Sequence, residues 1–96
     1  MTKLLRFSPA ARADLAEIWD YTAQHWDSDQ ADRYVDELHG VCLALATGEA
    51  ASRPVELRPG TSKARAGSHM IYVREGADTL DVMRILHGRQ DVDRHL

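Results

Sequence analysis

Two helix starts follow each other closely in the first half of this chain. Ser8 followed by Pro9 is typical of a helix N-terminus, because a serine side chain caps free amide groups and proline suits the first helical position. Asp27 and Gln30 have the spacing of a capping box, which predicts a second helix almost immediately after the first. Gly48 then supplies a stop signal. Two helices joined this tightly form an antiparallel hairpin, and the rest of the fold must cover its apolar face.

Apolar residues recur at helical spacing in both segments and define that face. The first stripe consists of Ala11, Leu15, Ile18, Trp19, Thr22 and Trp26. The second consists of Ala31, Tyr34, Val35, Leu38, Val41, Cys42 and Leu45. Trp26 and Ala31 flank the turn at the positions of a hydrophobic staple, so we expect them to pack together. The spacing of Trp19, Trp26 and Tyr34 favours packing within the hairpin over a ligand cage.

Short extended runs surround the predicted hairpin. Residues 4–7 predict one strand before it, and residues 49–62 contain prolines and a glycine without periodicity, which predicts a loop. Three further strands are predicted at Lys63–Ala66, His69–Arg74 and Thr79–His87. The sequence therefore predicts an α+β fold of order β-α-α-β-β-β, in which the helical hairpin packs on one face of a small, largely antiparallel sheet. The other face of the sheet is expected to be uncovered.

The composition bounds the classes of function. Ninety-six residues support one hydrophobic core, so we expect a single domain over residues 1–96. The chain contains no run of about 18 apolar residues and no signal-peptide pattern, which predicts a cytoplasmic protein without membrane contact. A single cysteine excludes an intramolecular disulfide, and the five histidines lack metal-site spacing, so neither a metal nor another cofactor is expected. The net charge of −3 argues against bulk attraction to nucleic acid.

Charge is distributed unevenly along the chain. The helical half is acidic, whereas residues 53–74 contain one acidic side chain, Glu56, among several basic ones. The basic residues are Arg53, Arg58, Lys63, Arg65 and Arg74. This patch fits a binding surface for a phosphate or for an acidic partner segment. The commoner explanation is a strand edge protected by its charges, and both interpretations stay open at this point.

His87 is the candidate acid or base of the chain. It ends the last predicted strand beside Arg84 and Arg89, where an imidazole could transfer a proton, although a strand-end histidine without a chemical role is more common. Strict alternation would place Arg84 and His87 on opposite sheet faces unless the strand twists or is interrupted between them. Ser8 and Cys42 are not predicted nucleophiles, because the first is a helix cap and the second lies on an apolar stripe.

Four segments together resemble the ParE branch of the RelE/ParE toxin superfamily. Residues 8–21 follow the pattern S-x-x-A-x-x-D-L-x-x-I-W-x-Y that begins this branch. The other three segments are Ala31, Tyr34 and Leu38 on the second helix, Gly67-Ser68-His69 with Ile71-Tyr72, and Arg84-Ile85-Leu86-His87 with Asp91 and Arg94-His95-Leu96. They occur in the family's order and cover nearly the whole chain, so the sequence is identified as similar to a ParE-type toxin.

The resemblance implies the toxin of a type II toxin-antitoxin pair. Its partner would be a ParD-like antitoxin whose ribbon-helix-helix half binds operator DNA, so the toxin would meet that DNA only through the antitoxin. ParE-type toxins are held to inhibit DNA gyrase, whereas RelE-type relatives cut mRNA on the ribosome. A shared fold does not choose between these activities.

The residues favour gyrase inhibition without enzymatic activity. RelE-type cleavage uses a strongly basic surface and usually a C-terminal tyrosine, whereas here Gly88 follows His87 and no tyrosine lies beyond Tyr72. The alternative is a RelE-like ribosome-dependent mRNA endonuclease. Its candidate residues would be Lys63, Arg65, Arg84 and His87. A second alternative is a non-toxic protein that binds its antitoxin and co-regulates its own operon.

Two sets of candidate binding residues follow from the resemblance and from the charge pattern. The residues expected to contact the target are Arg65, Arg84, His87 and Arg89. The residues expected to contact the antitoxin are Arg58, Lys63, Arg65, Arg74, Trp19 and Tyr34. Arg84 and Arg89 are expected to be surface charges whose loss leaves the fold intact.

Overall fold

The computed structural model of the protein describes residues 2–90. The elements in chain order are β1 (Leu4–Phe7), α1 (Pro9–His25), α2 (Ser28–Thr47), β2 (Arg53–Pro54), β3 (Ser62–Ala66), β4 (His69–Glu75) and β5 (Thr79–His87). The strands form one sheet in the order β1-β5-β4-β3-β2, in which β1 runs parallel to β5 and the other neighbours are antiparallel. Two helices packed on a mixed sheet confirm the predicted α+β class.

The predicted helix ends are confirmed by their hydrogen bonds. The Ser8 side chain accepts from the backbone N–H of Ala11 at 3.0 Å, and the Asp27 side chain accepts from that of Gln30 at 2.7 Å. Gly48 ends α2 with φ of 84°, a conformation that costs other residues more than glycine. The predicted staple is wrong, because the Trp26 side chain is 76% exposed.

The main core lies between the hairpin and one face of the sheet, which we call the inner face. Its fully buried members include Leu38 and Cys42 from α2 and Ile71, Leu80 and Val82 from the central strands. Burial raises the pKa of the Cys42 thiol to about 11, so the thiol stays protonated and unreactive near neutral pH.

The opposite, outer face of the sheet is not uncovered as the sequence predicts. Met70, Tyr72 and Leu86 form a second buried cluster there, and Val55 packs against it. Val55 reaches this position because the predicted loop contains the two-residue strand β2, after which the Val55 N–H bonds to the Thr61 carbonyl at 2.9 Å. A two-residue strand is too short to leave a periodic signal in the sequence.

A register shift in the β4–β5 pairing leaves Met83 without a partner between Val82 and Arg84. Val82 and Ile85 therefore both lie in the main core, although strict alternation would send them to opposite faces. Beyond the end of β1, side chains of α1 and its N-cap form hydrogen bonds with backbone groups on the free edge of β5. The Ser8 hydroxyl donates to the Met83 carbonyl at 2.6 Å, and the Asp14 carboxylate accepts from the Ile85 N–H at 2.9 Å.

Two negative findings apply to residues 2–90. None of their helices combines the length and apolar character needed to cross a bilayer. No group of three or more histidine, cysteine, aspartate or glutamate side chains in this part of the chain could hold a metal ion.

Candidate functional site

A groove of about 1040 Å³ opens where α1, α2, the β3–β4 turn and the end of β5 meet. α1 and its cap contribute Asp14, Glu17, Ile18, Tyr21, Thr22 and Trp26. The other lining residues are Gln30, Tyr34, Ser68, His69, Arg84, Ile85, His87 and Gln90. Arg84 and His87 both line this groove, although the register shift precedes both residues and β5 pairs regularly with β4 from Arg84 to His87.

An ion pair between Asp14 and Arg84 lies at the base of α1. The Arg84 Nε and Nη2 atoms each donate to one Asp14 oxygen at 2.8 Å, so the pair is bidentate. The Asp14 side chain is 9% exposed and the Arg84 side chain 22% exposed. The hydrogen bonds that Arg84 donates to Asp14 raise the pKa of Arg84, partial burial opposes this rise, and the charges of Asp14 and Glu17 add to it. Arg84 is therefore not the free surface charge that the sequence predicts.

A second hydrogen-bonded cluster joins α2 to the β3–β4 turn. The Ser68 N–H donates to the Tyr34 hydroxyl oxygen at 3.0 Å, and the same hydroxyl lies 2.6 Å from the His69 Nδ1 atom. Because the oxygen already accepts from Ser68, we assign its proton to the bond with His69, whose Nδ1 is then an acceptor. Burial lowers the pKa of His69 and the nearby His87 lowers it further, while Asp14 opposes both. His69 is accordingly neutral near pH 7.

Tyr34 packs so closely on the turn that only glycine fits at position 67. Gly67 has φ of 57°, and a Cβ atom added there would lie 2.8 Å from both Cε1 and the hydroxyl oxygen of Tyr34. The close approach holds the turn, and with it His69, against α2. Sequence analysis missed this contact because Tyr34 and Gly67 are far apart in the chain; Gly67-Ser68 by itself signals only a turn.

His87 stands next to His69 at the end of β5. The two rings meet edge to face with centroids 5.5 Å apart. The Nδ1 atom of His87 accepts from the Arg89 N–H at 3.3 Å, and the His87 N–H donates to Gln90 Oε1 at 2.5 Å. Both rings therefore use Nδ1 as an acceptor, and neutral imidazoles in this state have Nε2–H left as a donor.

The aromatic side chains of the hairpin divide between packing and exposure. Trp19 is half-buried and donates its Nε1–H to Asp32 at 2.9 Å, which links the two helices. Tyr34 is half-buried against the main core. Trp26 and Tyr21, at the rim of the groove, are 76% and 63% exposed. The predicted packing role is therefore wrong for Trp26, which lies beyond the last residue of α1 as its C-cap, with non-helical backbone angles.

The remaining cationic candidates lie mostly on the outer face. Lys63 pairs with Tyr72 and Arg65 with Met70 across the β3–β4 ladder, and directly opposed residues share a sheet face. Arg65 is exposed and donates to the Gly67 carbonyl at 3.2 Å. The other positions are Arg74, exposed on β4; Arg58, half-buried in the loop after β2; and Arg89, exposed after β5. These five residues are not among those that line the groove, although the Arg65 guanidinium lies at its edge beside Gly67 and Gly88.

Comparison with known proteins identifies the family. Residues 5–92 match the family described as the ParE toxin of the type II toxin-antitoxin system parDE. This chain belongs to the ParE toxin family. Toxin ParE1 of Mycobacterium tuberculosis is 46% identical to it over 98 residues, which cover 100% of each chain. The protein is therefore a toxin of the type II toxin-antitoxin class.

Solved structures place the ParE fold in a wider group. A chain of the chromosomal ParDE system from P. aeruginosa superimposes with a TM-score of 0.79 at 21% identity, over 90% of this chain and 96% of that one. A chain of the toxin-antitoxin complex RelBE2 from Mycobacterium tuberculosis gives 0.69 at 20% identity, over 91% and 99%. Chains from a ParDE and a RelBE system thus share this fold, so the fold does not choose between activities.

Proposed function

We propose that this ParE toxin inhibits DNA gyrase by binding to it and is not an enzyme. It would act in the cytoplasm as a single domain over residues 1–96, and a ParD-like antitoxin would neutralise it. The observation that carries this proposal is the Asp14–Arg84 ion pair. This pair neutralises the positive charge of Arg84, which a ribonuclease would need in the groove.

Cleavage of RNA requires positive charge around the scissile phosphate and a group that can transfer a proton. Arg84 is the only lysine or arginine among the described residues that line the groove. Its Nε and Nη2 atoms both donate to the Asp14 carboxylate. Glu17 adds negative charge beside it. A phosphate would therefore meet a balanced or negative site. The RelE-like alternative is disfavoured on this electrostatic ground.

A paired enzyme assay tests this activity. Purified toxin should block supercoiling by gyrase or cause cleaved DNA to accumulate, and it should leave ribosome-bound mRNA intact. Adding the cognate antitoxin before gyrase is the matched control and should restore supercoiling. Codon-specific cuts in the mRNA would favour the nuclease alternative instead. A protein that neither slows growth nor affects either enzyme would be the non-toxic co-regulator.

The outer face is the proposed docking surface for an acidic segment of the antitoxin. Lys63 and Arg65 lie there on β3, with Arg74 on β4 and Arg58 in the adjoining loop, whereas the helical side carries most of the acidic residues. Opposite charge of this kind speeds association and fixes orientation. The toxin's own net charge of −3 supports the view that operator DNA is bound only through the antitoxin.

Thermal unfolding with and without antitoxin tests this docking. A partner that binds only the folded toxin adds about 4 kcal/mol of apparent stability at 1,000 times its Kd, which raises the melting temperature by many degrees. Replacing Lys63 and Arg65 by alanine should weaken antitoxin binding and reduce this rise. Replacing Arg12 and Arg33, exposed on the helices, is the matched control and should leave it unchanged. An equal loss of antitoxin binding in the Lys63/Arg65 and Arg12/Arg33 variants would show that charge on the outer face has no special role.

A further inference from the structure

The groove between α1, α2 and the end of β5 has the composition of a protein-binding site. Two aromatic side chains, Tyr21 and Trp26, are mostly exposed at its rim, and tryptophan and tyrosine dominate the residues that carry binding energy at protein interfaces. A small water-exposed protein gains nothing for its own stability by leaving an indole uncovered. The other strongly exposed apolar side chains of residues 2–90, Leu4, Leu43 and Leu57, are not among the residues that line this groove.

Apart from Glu17, the charged groups that line the groove are already paired. Asp14 neutralises Arg84 through the bidentate pair, and the Tyr34 hydroxyl occupies the Nδ1 atom of His69. His69 and His87 are left with Nε2–H groups, which are uncharged donors. Such a site suits an apolar side chain accompanied by a backbone carbonyl that accepts a hydrogen bond.

The charge around the groove also selects between partners. Glu17 lines it and carries no neutralising contact as close as that of Asp14, so an acidic segment would meet repulsion. The cations that would attract such a segment lie on the outer face, on β3 and β4. The antitoxin's acidic segment and the occupant of the groove should therefore bind at different places.

We infer that the groove rimmed by Tyr21 and Trp26 is the surface that grips the toxin's target protein, through an uncharged apolar segment of that protein. This inference rests on the proposed function, in which the toxin acts by binding and not by cutting. It makes aromatic contact, and not the sequence-predicted cations Arg65, Arg84 and Arg89, the main source of target affinity. The antitoxin's acidic segment remains on the outer face.

Two substitutions at the rim test the inference. Trp26→Ala and Tyr21→Ala each remove an exposed ring without opening the core, so their melting temperatures should match that of the wild type. Each should raise the toxin concentration for half-maximal inhibition of gyrase about tenfold, and should relieve growth inhibition in cells, because hot-spot aromatics contribute more than about 1 kcal/mol each. Affinity for the antitoxin should change less than about twofold.

Leu57→Ala is the matched control, since Leu57 is 73% exposed but lies outside the groove. It should remain fully toxic. Full toxicity of folded Trp26→Ala and Tyr21→Ala proteins would overturn the inference. A tenfold loss of antitoxin affinity in these variants would also overturn it, because the groove would then belong to the antitoxin. If wild-type toxin leaves gyrase active, the proposed function fails by itself, and the growth and antitoxin assays still decide the role of the groove.

Discussion

Removing Arg84 should destabilise the fold, and not merely change its surface. In the Arg84→Ala variant the Asp14 carboxylate, which is 9% exposed in the wild type, would lose both guanidinium hydrogen bonds and keep the one from the Ile85 N–H. Breaking a fully buried ion pair by removing one partner costs about 3–5 kcal/mol, because the other charge stays desolvated. The Arg84 side chain is 22% exposed, so water can reach part of the site. We therefore expect a loss of about 2–3 kcal/mol.

This loss is a large fraction of the stability of a small domain, which is on the order of 5–10 kcal/mol. Urea unfolding followed by circular dichroism measures it directly. With an m value of about 1 kcal/mol per molar urea, the midpoint should fall by about 2–3 M. Arg6→Ala is the matched control. Arg6 also forms a bidentate pair, with Asp81 at 2.6 and 2.9 Å, but its side chain is 56% exposed and screened by water, so the midpoint should barely move.

The double variant Asp14→Ala/Arg84→Ala separates the pair from its two members. It should cost less than the sum of the single variants, because no unpaired carboxylate is left behind. The reasoning would be refuted if the stability loss of the double variant equalled the sum of the two single losses. An Arg84→Ala midpoint equal to that of Arg6→Ala would also refute it. Loss of toxicity in Arg84→Ala should accordingly be interpreted only after its stability is known.

Two further predictions concern the contact between α2 and the β3–β4 turn. Gly67→Ala should destabilise the protein by about 1–2 kcal/mol, because φ of 57° is unfavourable for alanine and the new Cβ would lie 2.8 Å from Tyr34. Gly40→Ala on α2 is the control, since a Cβ there would meet no atom within 4 Å. It should stabilise the protein by up to about 1 kcal/mol in the same urea assay. The His69 pKa is lowered in the folded state from its ordinary 6.5, so the unfolded chain binds more protons there and stability should fall as pH drops below about 6.5. An NMR titration should give a His69 midpoint below 6.5, and the pH dependence of stability should flatten in His69→Gln. A midpoint above 6.5, or an unchanged stability profile, would contradict burial as the dominant influence on the His69 pKa.

Local sequence signals predicted the secondary structure because they depend on neighbours a few residues apart. The Ser8 cap acts on Ala11 and the Asp27 cap on Gln30, so each is complete within four residues of chain. The strand at Thr79–His87 was likewise predicted with the bounds that the structure has. The family resemblance, confirmed by the comparisons, depends on the same local segments in their order along the chain.

Tertiary structure alone decided the groove. The partners Asp14 and Arg84 stand 70 residues apart, and Tyr34 meets His69 across 35, so no periodicity could pair them. Helical spacing put Trp26 at the end of the apolar stripe, but α1 ends at His25 and Trp26 is its C-cap with non-helical backbone angles. Because burial is a property of what packs over a side chain, the same pattern includes buried Ile18 within the helix and exposed Trp26 just beyond its end.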